Sequence, residues 1–83
     1  MSKLTVNIEA FGVVYVLSEQ REEGLRKISV SQKSINSQTI FLGYIYSNVS
    51  ILKAISCLGN EGIMQHILQN GYNKLSNIYL SNV

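Results

Sequence analysis

From Lys3 to Ala10 the chain alternates: Leu4, Val6, Ile8 and Ala10 are apolar, while Lys3, Thr5, Asn7 and Glu9 are polar. A period of two predicts a strand with one buried face and one wet face. Val13 to Leu17 is apolar on both sides of that alternation, which predicts a strand central to a sheet. Phe11-Gly12 between them is either a tight hairpin turn or a bulge in one long strand, and the turn is the preferred reading. Glu19 to Gly24 reads as a charged loop in which Gly24 supplies a positive φ. Alternation resumes over Leu25–Lys33, with Ile28 and Val30 on one face and Lys27, Ser29, Ser31 and Lys33 on the other. After a loop over Ser34–Gln38, the β-branched and aromatic run Thr39–Tyr46 predicts a fourth strand. Gly43 in its middle predicts a bulge or a close approach of another element.

The period then changes to that of a helix. Ser47 or Asn48 can cap it, and Ile51, Leu52, Ile55 and Leu58 form its apolar stripe. Gly59 is expected to stop this helix and Asn60 to cap a second one, with Glu61 favoured by the dipole of its first turn. Ile63, Met64, Ile67 and Leu68 give the second stripe, and Gly71 ends it. The tail fits two elements. Leu75, Ile78, Tyr79 and Asn82/Val83 suit a helix capped by Asn73, and Asn77–Leu80 suits a short edge strand.

The pattern predicts an α+β fold: an antiparallel sheet of three to four strands, followed by two to three short helices packed on one face. Residues 1–83 form a single domain. The face carrying Val6, Ile8, Ile28 and Val30 is expected to meet Ile51, Ile55, Leu58, Ile63 and Ile67. Thr39–Tyr46 has no charge to protect an open edge. It is therefore expected either inside the sheet or paired with a second copy, which makes a homodimer one of the expected states.

Composition narrows function by what it withholds. The chain has no Asp, one His, one Cys and five Glu, and after Ser34 only Lys53, Glu61 and Lys74 are charged. An enzyme site needs several titratable groups that converge, and half of this chain has little to build one from. Cys57 and His66 are the one nucleophile–base candidate. They fall on different predicted helices with no third group to orient the imidazole, so Cys57 reads as a buried inert thiol. The scattered Glu, Cys57 and His66 match no metal-ligand spacing, and no cofactor is called for. Gly59-Asn60-Glu61-Gly62 lacks the Lys-Ser/Thr pair of a phosphate loop and reads as a turn.

The net charge of +2 is too small to predict a nucleic-acid partner. A single Cys forms no internal disulfide and suits a reduced, cytoplasmic compartment. No apolar run is long enough to span a membrane, and no basic segment leads into a signal core.

Two groups of residues remain as interaction candidates. Glu19, Arg21, Glu22, Glu23, Arg26, Lys27 and Lys33 concentrate charge in fifteen residues. This stretch is a solvated hairpin, a contact for a charged groove on a protein, or, through Arg21, Arg26, Lys27 and Lys33, a contact for phosphates. Tyr44 and Tyr46 share one strand face, where they serve either the core or an interface that uses their apolar bodies and polar tips.

The run Leu42-Gly43-Tyr44-Ile45-Tyr46-Ser47-Asn48-Val49-Ser50-Ile51-Leu52-Lys53-Ala54-Ile55 resembles small uncharacterised phage-encoded proteins. In these a β-meander ends in a Gly-Tyr-aromatic strand, followed by a capped turn and a helix with a Leu-x-Ala face. The resemblance spans Leu4 to Leu58. Here the spacer Ser47–Ser50 lacks the acidic helix start of that pattern, and the helices after it are short and nearly uncharged. The resemblance implies a phage or mobile-element origin, action in the host cytoplasm, and binding to a host protein such as a component of a CRISPR or other defence system. The leading expectation is a non-enzymatic binding protein that occupies a surface of a host protein. Two alternatives stand beside it: a nucleic-acid-binding accessory protein using the sheet face and the charged hairpin, and a structural homo-oligomer component.

Overall fold

The structure is a computed structural model that describes residues 3–36 and 38–71. Four strands, β1 (Lys3–Ala10), β2 (Val13–Glu22), β3 (Leu25–Lys33) and β4 (Thr39–Ser47), precede one helix, α1 (Ile51–Asn70). The strands form an antiparallel meander in the order β1-β2-β3-β4. The α+β class and the four-stranded sheet are therefore as the pattern predicts. The expected helix capped by Asn73 and the expected strand Asn77–Leu80 lie outside the described residues.

Two-residue turns set the register of the first three strands. β1 and β2 pair up to Ala10↔Val13, leaving Phe11 and Gly12 at φ 55° and 74°. β2 and β3 pair up to Glu22↔Leu25, leaving Glu23 and Gly24 at φ 44° and 87°. Two successive positive φ values are the mark of the hairpin turn whose twist matches that of its flanking strands. Such a turn lets the ladder close right up to it. The charged loop expected over Glu19–Gly24 is thus reduced to Glu23 and Gly24, and Glu19–Glu22 continue β2.

The register slips once, at Val30/Ser31 of β3, where Val30 faces Gly43 and Ser31 faces Phe41. This is the bulge that Gly43 predicts. Its consequence is a change of phase. Simple alternation would put Ile40 and Leu42 on the same face as Tyr44 and Tyr46. The extra residue instead turns Phe41 onto the Tyr44 face and packs Leu42 against the core.

Side chains of one sheet face and of α1 form the core. Ile8, Leu17, Ile28, Val30 and Ile45 of the sheet and Ile51, Ala54, Ile63, Met64 and Ile67 of the helix are fully buried. Val6 and Ile55 pack against them only partly buried, and Leu58 is exposed. Leu58 departs from the expected core because it precedes Gly59, whose φ of 76° and ψ of 170° break the helical path. Two to three helices were expected; the described residues form one helical element. A single residue at positive φ redirects the backbone without a connecting loop, so the break is a kink inside α1.

The cap of α1 also differs from expectation. Ser50, not Ser47 or Asn48, is the N-cap, and its hydroxyl accepts the Lys53 N–H at 3.2 Å. Ser47 is buried and already engaged: its hydroxyl accepts from the Val49 N–H at 3.1 Å and donates to the Val49 carbonyl at 2.9 Å. Among the described residues β4 is an edge strand, so the expectation that it lies inside the sheet is overturned. Apolar content alone does not order strands in a meander. The apolar residues of β4 divide between the core side, Leu42 and Ile45, and the open face, Phe41, Tyr44 and Tyr46, and its outer edge has no described neighbour.

Candidate binding surface

The helix covers one face of the sheet. The other face is a grid that the pairing registers define directly, because residues directly opposite share a face. From β1 to β4 its rows are Lys3–Gln20–Lys27–Tyr46, Thr5–Ser18–Ser29–Tyr44, Asn7–Val16–Ser31–Phe41 and Glu9–Val14–Lys33–Thr39. The Lys27 ammonium stands 4.3 Å above the centre of the Tyr44 ring. The Phe41 and Tyr44 rings meet edge to face with centroids 4.9 Å apart. Thr5 and Ser18 hydroxyls are hydrogen-bonded across the strands at 3.3 Å. Lys3, Ser18, Gln20, Lys27, Ser29 and Tyr44 line a shallow depression of about 160 Å³. Tyr46 walls a groove of about 590 Å³ with Glu22, Glu23 and Leu25, at the end of the same face where Glu22 pairs with Leu25.

Of the six interaction candidates, the structure brings Lys27, Lys33, Tyr44 and Tyr46 to this face and separates Arg21 and Arg26 from it. Arg21 and Arg26 pair with each other across β2 and β3 on the helix side. Arg26 is part of a latch. Its guanidinium lies 3.5 Å from the Glu19 carboxylate and donates to the Asn48 carbonyl at 3.2 Å. The other Glu19 oxygen accepts the N–H of Ile51, the first residue of α1, at 2.8 Å. A carboxylate at a helix N-terminus satisfies an otherwise unpaired donor and meets the positive end of the dipole. The charged hairpin is therefore partly structural: Glu19 and Arg26 tie the sheet to the helix, while Arg21, Glu22 and Glu23 are exposed.

A second surface was not anticipated. Phe11, Ile35, Ile40 and Phe41 are exposed, Ile35 completely and the others by about half (51%, 51% and 53% in turn). The β1–β2 turn and the β3–β4 loop lie at the same end of the meander, and Val13, Val14, Ser34 and Ile35 help line an open cavity of about 570 Å³ between them. Phe41 sits where this apolar end meets the sheet face. The bulge at Gly43 was the signal for it, since a bulge inverts the phase of every residue before it.

Cys57 and His66 lie on α1 on opposite sides of the Gly59 break. Cys57 is only partly buried, short of the buried thiol expected from its neighbours. His66 Nε2 is buried with no hydrogen-bond partner among the described residues. Among the described residues, no three His, Cys, Asp or Glu side chains are grouped to hold a metal ion, and no helix is long and apolar enough to cross a membrane. No family model, curated protein or solved structure matches this chain.

Proposed function

We propose that this chain is a non-enzymatic binding protein that acts by occupying a surface of another protein. One observation carries the reading: four large apolar side chains, Phe11, Ile35, Ile40 and Phe41, are exposed toward one end of the sheet, where Ile35 lines an open cavity. Monomeric domains rarely leave such a cluster uncovered unless it serves a contact. Ile35 lies in a loop and makes no core contact, and Phe11 adopts a backbone conformation that costs a side chain energy. Both are poorly accounted for by folding alone. A host protein as the partner, an anti-defence role and action in the host cytoplasm follow from the phage resemblance of Leu42–Ile55 and belong to the same proposal.

The test is capture of a partner by tagged protein from host lysate, before and after nuclease treatment, with the parent compared to Ile35→Asp and Ile40→Asp. One protein retained after nuclease by the parent, and lost with either folded variant, is the expected result. A partner that binds the variants equally well would place the contact elsewhere.

A further inference from the structure

We propose that the open sheet face is a binding site for single-stranded nucleic acid, sharing only Phe41 with the apolar end assigned to a protein partner. Net charge gives no hint of it, because the relevant quantity is local. The depression beside Tyr44 is lined by Lys3, Ser18, Gln20, Lys27, Ser29 and Tyr44. Its side chains offer two ammonium groups, two hydroxyls, an amide and a phenol, every one of them a hydrogen-bond donor to a phosphate oxygen. Among the described residues, no carboxylate lines it. The nearest carboxylates on this face are Glu22, opposite Leu25 and one step beyond the Gln20–Lys27 row, where it walls the groove with Tyr46, and Glu9, two rows beyond the Tyr44 row beside Val14. At about 160 Å³ the depression is smaller than the pockets of about 300 Å³ and upward that enclose a drug-sized molecule. It suits one anionic group of a longer chain.

The neighbouring residues supply the other half of the chemistry. One face of the Tyr44 ring is held by the Lys27 ammonium, which fixes a positive charge above the sheet. Phe41 meets Tyr44 at an interplanar angle of 62° and remains 53% exposed, so its ring offers a face to a planar base. Cations that follow a backbone, alternating with aromatic rings that take bases, are what unpaired strands require. A four-stranded sheet with exposed rings accommodates about two or three stacked bases. A duplex keeps its base faces stacked internally and has nothing to place on Phe41. An acidic peptide would use the lysines but not the rings.

Binding of the full chain to a labelled oligothymidylate of about 12 nucleotides is read by fluorescence anisotropy. Affinity is expected to fall with salt at a logarithmic slope of about −0.7 per phosphate contacted, hence about −1.4 to −2.1 for two to three contacts. Lys27→Glu and Lys3→Glu are each expected to weaken binding about tenfold or more, by replacing attraction with repulsion. Phe41→Ser is expected to weaken it about 5- to 150-fold through the lost stack. Lys53→Glu on the far side of the helix, and Ile35→Asp at the apolar end, are expected to leave it unchanged, which separates this site from the protein-binding one. Circular dichroism establishes that each variant is folded, and the exposed Lys3 keeps the test decisive if Phe41→Ser does not fold. The proposal is overturned by no anisotropy change at low salt, by equal affinity for a duplex of the same length, or by polyglutamate displacing the oligonucleotide while folded Phe41→Ser binds normally.

Discussion

Phe11 holds a φ of 55°, a region that a side chain with a bulky Cβ substituent enters only at a cost, while the adjacent Gly12 enters it freely. Asparagine tolerates this region and is favoured in such turns. Phe11→Asn is therefore expected to stabilise the domain by about 1 kcal/mol in urea denaturation while weakening capture of a protein partner. A loss of stability would mean that packing of the half-exposed ring outweighs the strain. Core positions behave oppositely. Ile28 is fully buried between Glu19 and Ile45 of its neighbouring strands. Ile28→Ala is expected to cost about 2–5 kcal/mol, against less at the partly buried Ile55. Equal losses at the two sites would contradict the burial described here. Cys57→Ser and His66→Ala are each expected to leave biological function within a few-fold of the parent, provided the variants fold. Outright loss in either would reopen the case for chemistry at these residues.

At the scale of elements, the junction between sheet and helix rests on Glu19. Its two carboxylate oxygens serve different partners, the Ile51 N–H and the Arg26 guanidinium, and its side chain is 14% exposed. Glu19→Ala leaves a part-buried helix N–H without an acceptor and removes the partner of Arg26. A loss of about 1–3 kcal/mol is expected, read as a lower denaturation midpoint with an unchanged slope. Arg26→Ala should cost less, because the helix N–H keeps its acceptor. The kink within α1 rests on Gly59. No atom lies within 4 Å of where a Cβ would be built, so the penalty for Gly59→Ala is conformational, about 1–2 kcal/mol. An Ala variant as stable as the parent would show that the helix can straighten at this point without losing its contacts.

Among the described residues the sheet has two edges, and they are unlike. β1 carries Lys3 and Glu9, charges that discourage another strand from pairing. β4 runs Thr39–Ser47 with no charge and no proline, and its bulge is the only described feature that interrupts it. An uncharged edge pairs with a second copy about a two-fold axis without like-charge repulsion. Light scattering is expected to give a mass that rises above 9.3 kDa on concentration and returns to it in Phe41→Lys. A mass that stays at the monomer value on tenfold concentration would show the bulge, or a segment outside the described residues, to be sufficient protection.

The local pattern by itself determined that four strands form, the Phe11-Gly12 turn, and the faces of β1 and β3. Leu25–Lys33 was legible to the residue because period-two alternation and the flanking glycine are properties of neighbouring positions. Lys27, Lys33, Tyr44 and Tyr46 were legible as contact candidates for the same reason. What only the tertiary structure decided are relations between distant positions. The place of β4 at the edge depends on the order in which strands pair, and no residue encodes that locally. The capture of Ile51 by Glu19 joins residues 32 positions apart. Phe41 reached the Tyr44 face because a bulge against β3 shifted its phase, and the Gly59 break bent one helix rather than dividing two. In each case the side chain was visible in the sequence, and its partner was set by packing against elements that the local pattern does not order.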